Sequence, residues 1–414
     1  MSLLSTLLIV LVAARLLGRL FQHFNQPEMV GEILAGVLLG PALFDFVRPN
    51  PALAGLSELA VFLVILSAGL EMRYDDIARA MRGRGLVLAA LAFVIPFAAG
   101  AGVGFLYDLD AMRVVFLGLC ISITALPVAV KILDSLGLLD TPIARYAIAT
   151  AILNDIAALL LLGAILSLPE QPTLLAVSGA LASGGAKLLL LAAAVIGMNR
   201  ALRQVAVGDS PLRAAAERVF ALLGPESLFG AVVAFVLLFG LVAEILGFHF
   251  VIGAFFGALV VDRRIFGPAR YADLTRTMSS VTAGFLAPVF FAYIGLEFSF
   301  KALRDLDFVA VVLVVSIFSK LLAGWLGGRA VGMAQREAAG LGCMLNGRGV
   351  MELVVASIAY QKGFIGTGMF STLVLMGIVT TLLTPWLFTL ALPDAAMRAY
   401  RERHSVAAST RAGG

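Results

Sequence analysis

The sequence predicts an all-α polytopic membrane protein with an internal repeat. Three observations carry this. Hydrophobic residues make up 61% of the 414-residue chain and charged residues 14%. With a mean hydropathy of +1.01, that composition fits stacked spans of about 20 apolar residues and no soluble domain of this length. The apolar residues gather into about thirteen segments. Arginine clusters recur in alternate loops, as expected of a chain that crosses a bilayer repeatedly.

Taken in order, the segments cover 2–24, 28–45, 52–71, 85–107, 111–136, 143–168, 173–199, 227–247, 248–262, 279–299, 306–331, 338–361 and 367–392. The first, MSLLSTLLIVLVAARLLGRL, lacks a basic leader and a convincing cleavage site, so it reads as a span rather than a signal peptide. The second and ninth are short and glycine-rich. The fifth and twelfth contain polar breaks. The sixth carries Asn154 and Asp155, and the eleventh carries Lys320. A membrane transporter domain is expected over 1–392, followed by a short cytoplasmic tail at 393–414.

The loops orient the chain. Arg73, Arg79, Arg82 and Arg84 form one basic cluster, and Arg200, Arg203, Arg213 and Arg218 a second. Arg263, Arg264, Arg270 and Arg276 form a third, and Arg398, Arg401, Arg403 and Arg411 close the chain. With thirteen spans all four fall on one side. The opposite loops carry little beyond Arg48, Arg113, Lys301, Arg304 and Lys362. The positive-inside rule then puts the N-terminus outside and the C-terminus in the cytoplasm. The net charge of +4 is scattered through short loops, with no basic tract for nucleic acid. The two cysteines, Cys120 and Cys343, and the three histidines, His23, His249 and His404, have neither disulfide nor zinc-ligand spacing.

The repeat is visible in three matched pairs. MVGEILAGVLLG (29–40) resembles FVIGAFFGALVV (250–261), and VFLVILSAGLEM (61–72) resembles VFFAYIGLEFS (289–299). GLCISITALPVAV (118–130) has a partner in GCMLNGRGVMELV (342–354). The order is the same in both halves and the partners lie an odd number of spans apart. That places them in opposite orientations, the inverted-repeat pattern of secondary transporters.

Asp155 lies near the middle of a membrane-length run. An ionisable group there costs roughly 2.5–3.5 kcal/mol on insertion scales and marks an ion or proton path, or else a structural ion pair. In Ser122-Ile-Thr124-Ala-Leu-Pro127, the proline removes a backbone donor and frees carbonyls near 123 and 124. Ser122 or Thr124 then helps to supply an ion site. In Asn346-Gly-Arg348-Gly349, two glycines loosen the helix and an arginine enters the membrane. Broken helices at corresponding places in two halves point to a midplane site. Lys320 needs a buried carboxylate, for which Asp155 is the candidate. Glu352 follows Arg348 at i+4 and reads as its structural partner. Glu32 reads equally as a funnel residue and as a helix-packing contact.

GEILAGVLLGP, AGLEM, SITALPVAVKIL, the Asn154-Asp155 pair, Lys320 and LNGRGVMELVV occur in this order over residues 5–392. Together they resemble the monovalent cation:proton antiporter-2 family. The resemblance implies an inverted-repeat antiporter fold with two crossing broken helices, and interleaved core and scaffold bundles. It also implies a homodimer in the cell inner or plasma membrane. Asp155 is implied to take a monovalent cation and a proton in turn beside Thr124, with Lys320 as the charged partner. Electrogenic members carry two adjacent aspartates, whereas this chain has asparagine before Asp155. Electroneutral members usually carry arginine where Lys320 stands. No dinucleotide fingerprint follows the last span, so neither nucleotide nor other cofactor is expected.

The function expected is Na+ or K+/proton antiport by alternating access. The alternatives are a passive monovalent cation channel and a non-transporting membrane sensor. An intramembrane enzyme would need a nucleophile and base or metal ligands at depth, and the sequence has no HExxH motif or serine–histidine dyad.

Overall fold

The computed structural model describes residues 2–24, 26–71, 83–139, 141–166, 187, 190, 193, 197–198, 200, 225–246, 248–261, 266–393 and 397. Most of the expected segment 173–199 lies outside these residues. So do Arg73, Arg79, Arg82, Arg203, Arg213, Arg218, Arg263, Arg264, the tail from residue 398, and with it His404.

Every regular element among the described residues is helical. α1 is Leu3–His23, α2 Glu28–Leu39, α3 Pro51–Glu71, α4 Arg84–Leu106, α5 Ala111–Ser122, α6 Leu126–Ser135 and α7 Pro142–Leu166. α8 is Pro225–Ile245, α9 Phe250–Val260, α10 Pro268–Val281 and α11 Ala287–Glu297. α12 is Leu306–Ala330, α13 Gln335–Leu345, α14 Val350–Gln361 and α15 Thr367–Ala391. Among the described residues, nine helices are long and apolar enough to cross a membrane, counting α10–α11 and α13–α14 each as one. In lipid a spanning helix must satisfy its own backbone, which is why the apolar runs take this form.

The helix ends follow local chemistry. Pro51, Pro142, Pro225 and Pro268 open α3, α7, α8 and α10, where a missing N–H costs nothing. Asp110 caps α5 by accepting from Arg113 N at 3.0 Å. The expected segment 28–45 is too long: α2 stops at Leu39 because Gly40, extended at ψ −179°, precedes Pro41. The expected start at 279 is too late. The helix begins at Pro268, and a π turn at Thr282–Leu286 joins its polar first half to α11. The window reading missed that half because Arg270, Asp273 and Arg276 dilute its hydropathy.

The chain divides into two compact units, each built from separated stretches. One comprises Met1–Leu53, Asp76–Ala158 and Phe291–Gly414, the other Ala54–Asp75 and Leu159–Phe290. Within the first, α1 packs on α2, α4 on α5 and α12, α12 on α13, and α15 on α13 and α14. Within the second, α8 packs on α9 and α10.

The repeat seen in sequence reappears as matched glycine seams. A Cβ on Gly31 of α2 would lie 2.3 Å from Leu17 O of α1, and one on Gly253 of α9 would lie 2.1 Å from Phe239 O of α8. A Cβ on Gly100 of α4 would meet Gly118 Cα of α5 at 2.8 Å, and one on Gly324 of α12 would meet Gly342 Cα of α13 at 2.3 Å. The two halves use the same glycine-to-backbone approach for corresponding helix pairs. Close packing of small residues is the main means by which membrane helices associate.

These seams make a sign prediction. A Cβ on Gly36 would sit 1.9 Å from Ala292 O, whereas one on Gly102 meets nothing within 4 Å. Gly36→Ala should therefore destabilise by about 1–3 kcal/mol through overpacking. Gly102→Ala should be neutral or stabilise by up to about 1 kcal/mol. Thermal melting in one detergent compares them, and equal shifts for both would contradict the seam.

Candidate functional site where two helix breaks meet

Between Ser122 and Leu126 the chain leaves the helix, and it does so again between Leu345 and Val350. The two breaks close on each other. Ala125 N donates to Gly347 O at 2.9 Å, and Thr124 Oγ1 donates to Leu345 O at 3.2 Å. Arg348 Nη1 donates to Cys120 O at 2.8 Å and to Ile123 O at 2.6 Å. Backbone groups that the helices release are thus answered from the opposite break, as burial in hydrocarbon demands.

Pro127 sits in the first turn of α6, so it starts a helix rather than kinking one. Its missing N–H leaves Ile123 O without the usual donor one turn on, and Arg348 supplies one. The same device operates at Pro96 inside α4. Ala92 O, four residues earlier, receives Lys320 Nζ at 3.1 Å. Lys320 also donates to Ser122 O and to Thr124 Oγ1 at 2.7 Å. An ammonium has three protons, and all three are taken. The direct Lys320–Asp155 pair expected from sequence is therefore not formed. Asp155 and Glu352 remain within electrostatic reach of Lys320. Ser122 serves through its carbonyl, because its hydroxyl is spent on Leu119 O at 2.7 Å within its own helix.

Asn154 and Asp155 are buried on α7, at 1% and 3% exposure. Among the described residues, Asp155 Oδ1, Asn154 Nδ2 and Thr150 Oγ1 one turn earlier have no hydrogen-bond partner. Asn346 is fully buried and both its side-chain polar atoms are likewise unpartnered. Arg348 Nε lies 3.8 Å from Glu352 Oε2, with both side chains fully buried. Glu32 lies elsewhere, in the α1–α2 seam, with its Oε1 3.9 Å from Arg15 Nη1. Among the described residues no cluster of histidine, cysteine and acidic side chains could hold a metal. The arrangement has the chemistry for a monovalent cation or a proton: one buried carboxylate outside any ion pair among the described residues, neutral oxygens and a nearby positive charge.

Thr381 of α15 escaped the sequence reading. Its Oγ1 accepts from Arg348 N at 3.2 Å and donates to Arg348 O at 3.0 Å. One hydroxyl thereby satisfies both backbone groups of the residue at the second break. The visible signal was a threonine-rich turn, Thr380-Thr381-Leu-Leu-Thr384, inside an apolar span.

The fold and the paired breaks define a class, that of inverted-repeat membrane exchangers. The chain belongs to the sodium/hydrogen exchanger family: a model described as "Sodium/hydrogen exchanger, transmembrane" matches residues 7–390. It is a multi-pass membrane protein of a family of exchangers, not of enzymes. It is 29% identical to Cation/H(+) antiporter 20 of Arabidopsis thaliana over 91% of this chain, but spans only 47% of that protein. It is 24% identical to the Na(+)/H(+)-K(+) antiporter GerN of Bacillus cereus, covering 94% of this chain and 97% of GerN. In fold it is similar to the sodium proton antiporter MjNhaP1 of Methanocaldococcus jannaschii, with TM-score 0.70 and 16% identity over 94% of this chain and 98% of that one.

Two predictions follow from the geometry. Lys320→Met leaves Ala92 O, Ser122 O and Thr124 Oγ1 without their donor, and should cost about 3 kcal/mol at roughly 1 kcal/mol or more per stranded group. Adding Pro96→Ala restores a helix N–H for Ala92 O and should recover about 1 kcal/mol in that background, more than it yields alone. Identical Pro96→Ala effects in both backgrounds would remove the coupling. Thr381→Val should lower stability by about 1–3 kcal/mol by stranding Arg348 N and O, while Thr381→Ser should melt close to wild type. Equal melting of the two variants would count against the hydroxyl clamp.

Proposed function

We propose that this chain exchanges a monovalent cation, Na+ or K+, for a proton across the membrane, with Asp155 as the shared site. The observation that carries the reading is the state of Asp155: buried at 3% exposure, with Oδ1 unpartnered and no ion pair to Lys320 among the described residues. Family membership and the antiporter names of relatives such as GerN support it.

An ionised carboxylate in a low-dielectric interior is costly unless something neutralises it. A proton does so, and so does a dehydrated alkali cation. The two occupy the same oxygens, so each displaces the other. Lys320 and Thr124 fix the first break beside this site, and Asn154 adds a neutral amide. Alternating access to one site then couples the two flows. With one carboxylate per site, the stoichiometry is one cation for one proton, which moves no net charge. The same reading makes the chain a homodimer of a plasma membrane, with its N-terminus outside.

The test is proton movement in proteoliposomes driven by an imposed Na+ or K+ gradient. Wild type should exchange, and its rate should ignore an imposed membrane potential. Asp155→Asn keeps the shape of the side chain but cannot hold either charge, and should reduce exchange to background with melting preserved. Exchange at wild-type rates in this variant would remove Asp155 from the mechanism, and cation flux without proton movement in wild type would make the chain a channel.

A further inference from the structure

Asn346 is one of several buried polar side chains left unpartnered among the described residues, and the one placed at the second helix break with both its amide atoms open. Buried hydroxyls here are mostly spent on local carbonyls: Thr380 on Met376 O, Thr384 on Thr380 O, Thr372 on Gly368 O and Ser122 on Leu119 O. Asn346 is fully buried, and neither Oδ1 nor Nδ2 has a partner among the described residues. Its backbone N–H is engaged, donating to Cys343 O at 3.1 Å. An amide left unpaired in such a place costs about 1–3 kcal/mol for each group, and a leucine, which has the same branching and no polar atom, would avoid that cost.

Its position gives the amide a use. Asn346 ends α13, between Leu345, whose carbonyl receives Thr124, and Gly347, whose carbonyl receives Ala125 N. Thr124 in turn accepts from Lys320, whose charge acts on Asp155. The nearby cationic side chains, Lys320 and Arg348, are donor-only and cannot coordinate a cation. An amide oxygen can, and it adds no charge.

We propose that the Asn346 side chain is a ligand for the transported monovalent cation, contributed by the second break as Asp155 is contributed by α7, and that it sets the preference among alkali cations. This rests on the antiport reading above. A neutral oxygen at a fixed place on the backbone helps to define cavity size, on which discrimination among ions of equal charge depends. It leaves the competition with the proton at Asp155 unchanged.

The experiment measures exchange in proteoliposomes with LiCl, NaCl, KCl and RbCl for wild type, Asp155→Asn, Asn346→Leu and Asn346→Ser, with melting of each. Asn346→Leu should raise the KM for the preferred cation roughly tenfold or more and flatten the preference, with turnover at saturating cation largely retained, the pattern of a lost binding contact. Its melting temperature should not fall. Asn346→Ser keeps an oxygen but draws it back, and should change the order of preference. Wild-type KM and preference in the serine variant, or in the leucine variant whether or not its melting falls, would overturn the proposal and leave Asn346 a structural group. Failure of the antiport reading looks different: wild type shows no cation-driven proton movement, or Asp155→Asn retains it.

Discussion

In hydrocarbon there is no water to take up an open N–H or C=O, so a helix that breaks at membrane depth must find other partners for the groups it releases. The centre of this protein is organised by that requirement. Local bonds, such as Ile123 N to Leu119 O and Asn346 N to Cys343 O, close only part of each break. Ala125 N reaches Gly347 O, Thr124 reaches Leu345 O, and Arg348 reaches back to Cys120 O and Ile123 O. The unbroken helices complete the account: α12 sends Lys320 to Ser122 O, and α15 sends Thr381 to both backbone groups of Arg348. The breaks are therefore mutually dependent, and the glycine seams at Gly100–Gly118 and Gly324–Gly342 bring α4 and α12 close enough to hold them.

Charge follows the same logic. Asp155, Lys320, Arg348 and Glu352 are all buried, two of each sign. The set is balanced as a whole, yet it is not divided into two tight pairs. Arg348 approaches Glu352 only to 3.8 Å, and Lys320 spends its protons on neutral oxygens. Among the described residues, Asp155 is the carboxylate of the set that stands outside an ion pair.

Much of this was legible in the sequence. Periodicity and hydropathy located the spans, and proline at 127 and glycines at 347 and 349 marked both breaks, because those residues act on the backbone directly. The repeat was readable because glycines recur in the matched segments, Gly118 with Gly342 in register and Gly31 with Gly253 one residue out, and in both pairs the glycine lies against a neighbouring helix backbone. The partners were less legible. Depth suggested that Lys320 would meet Asp155, but sequence does not show that Pro96, in a different span, strips Ala92 of its helical donor and offers that carbonyl instead. Thr381 looked like any threonine in an apolar run, since its role depends on which residue the second break turns toward it. The polar half of α10 was lost to the same window averaging that found the apolar spans.

Thr124 carries one further consequence. Its oxygen has one proton to give and two lone pairs. Lys320 can only donate, so one lone pair is claimed, and the proton is committed to Leu345 O. The hydroxyl dipole is thus locked, with its remaining lone pair the only direction left open. A dipole that is already oriented needs no reorganisation when positive charge arrives, which is how preorganised polar groups lower barriers. In the exchange cycle proposed above, the lysine that cannot touch a cation thereby sets the orientation of the oxygen that would meet one.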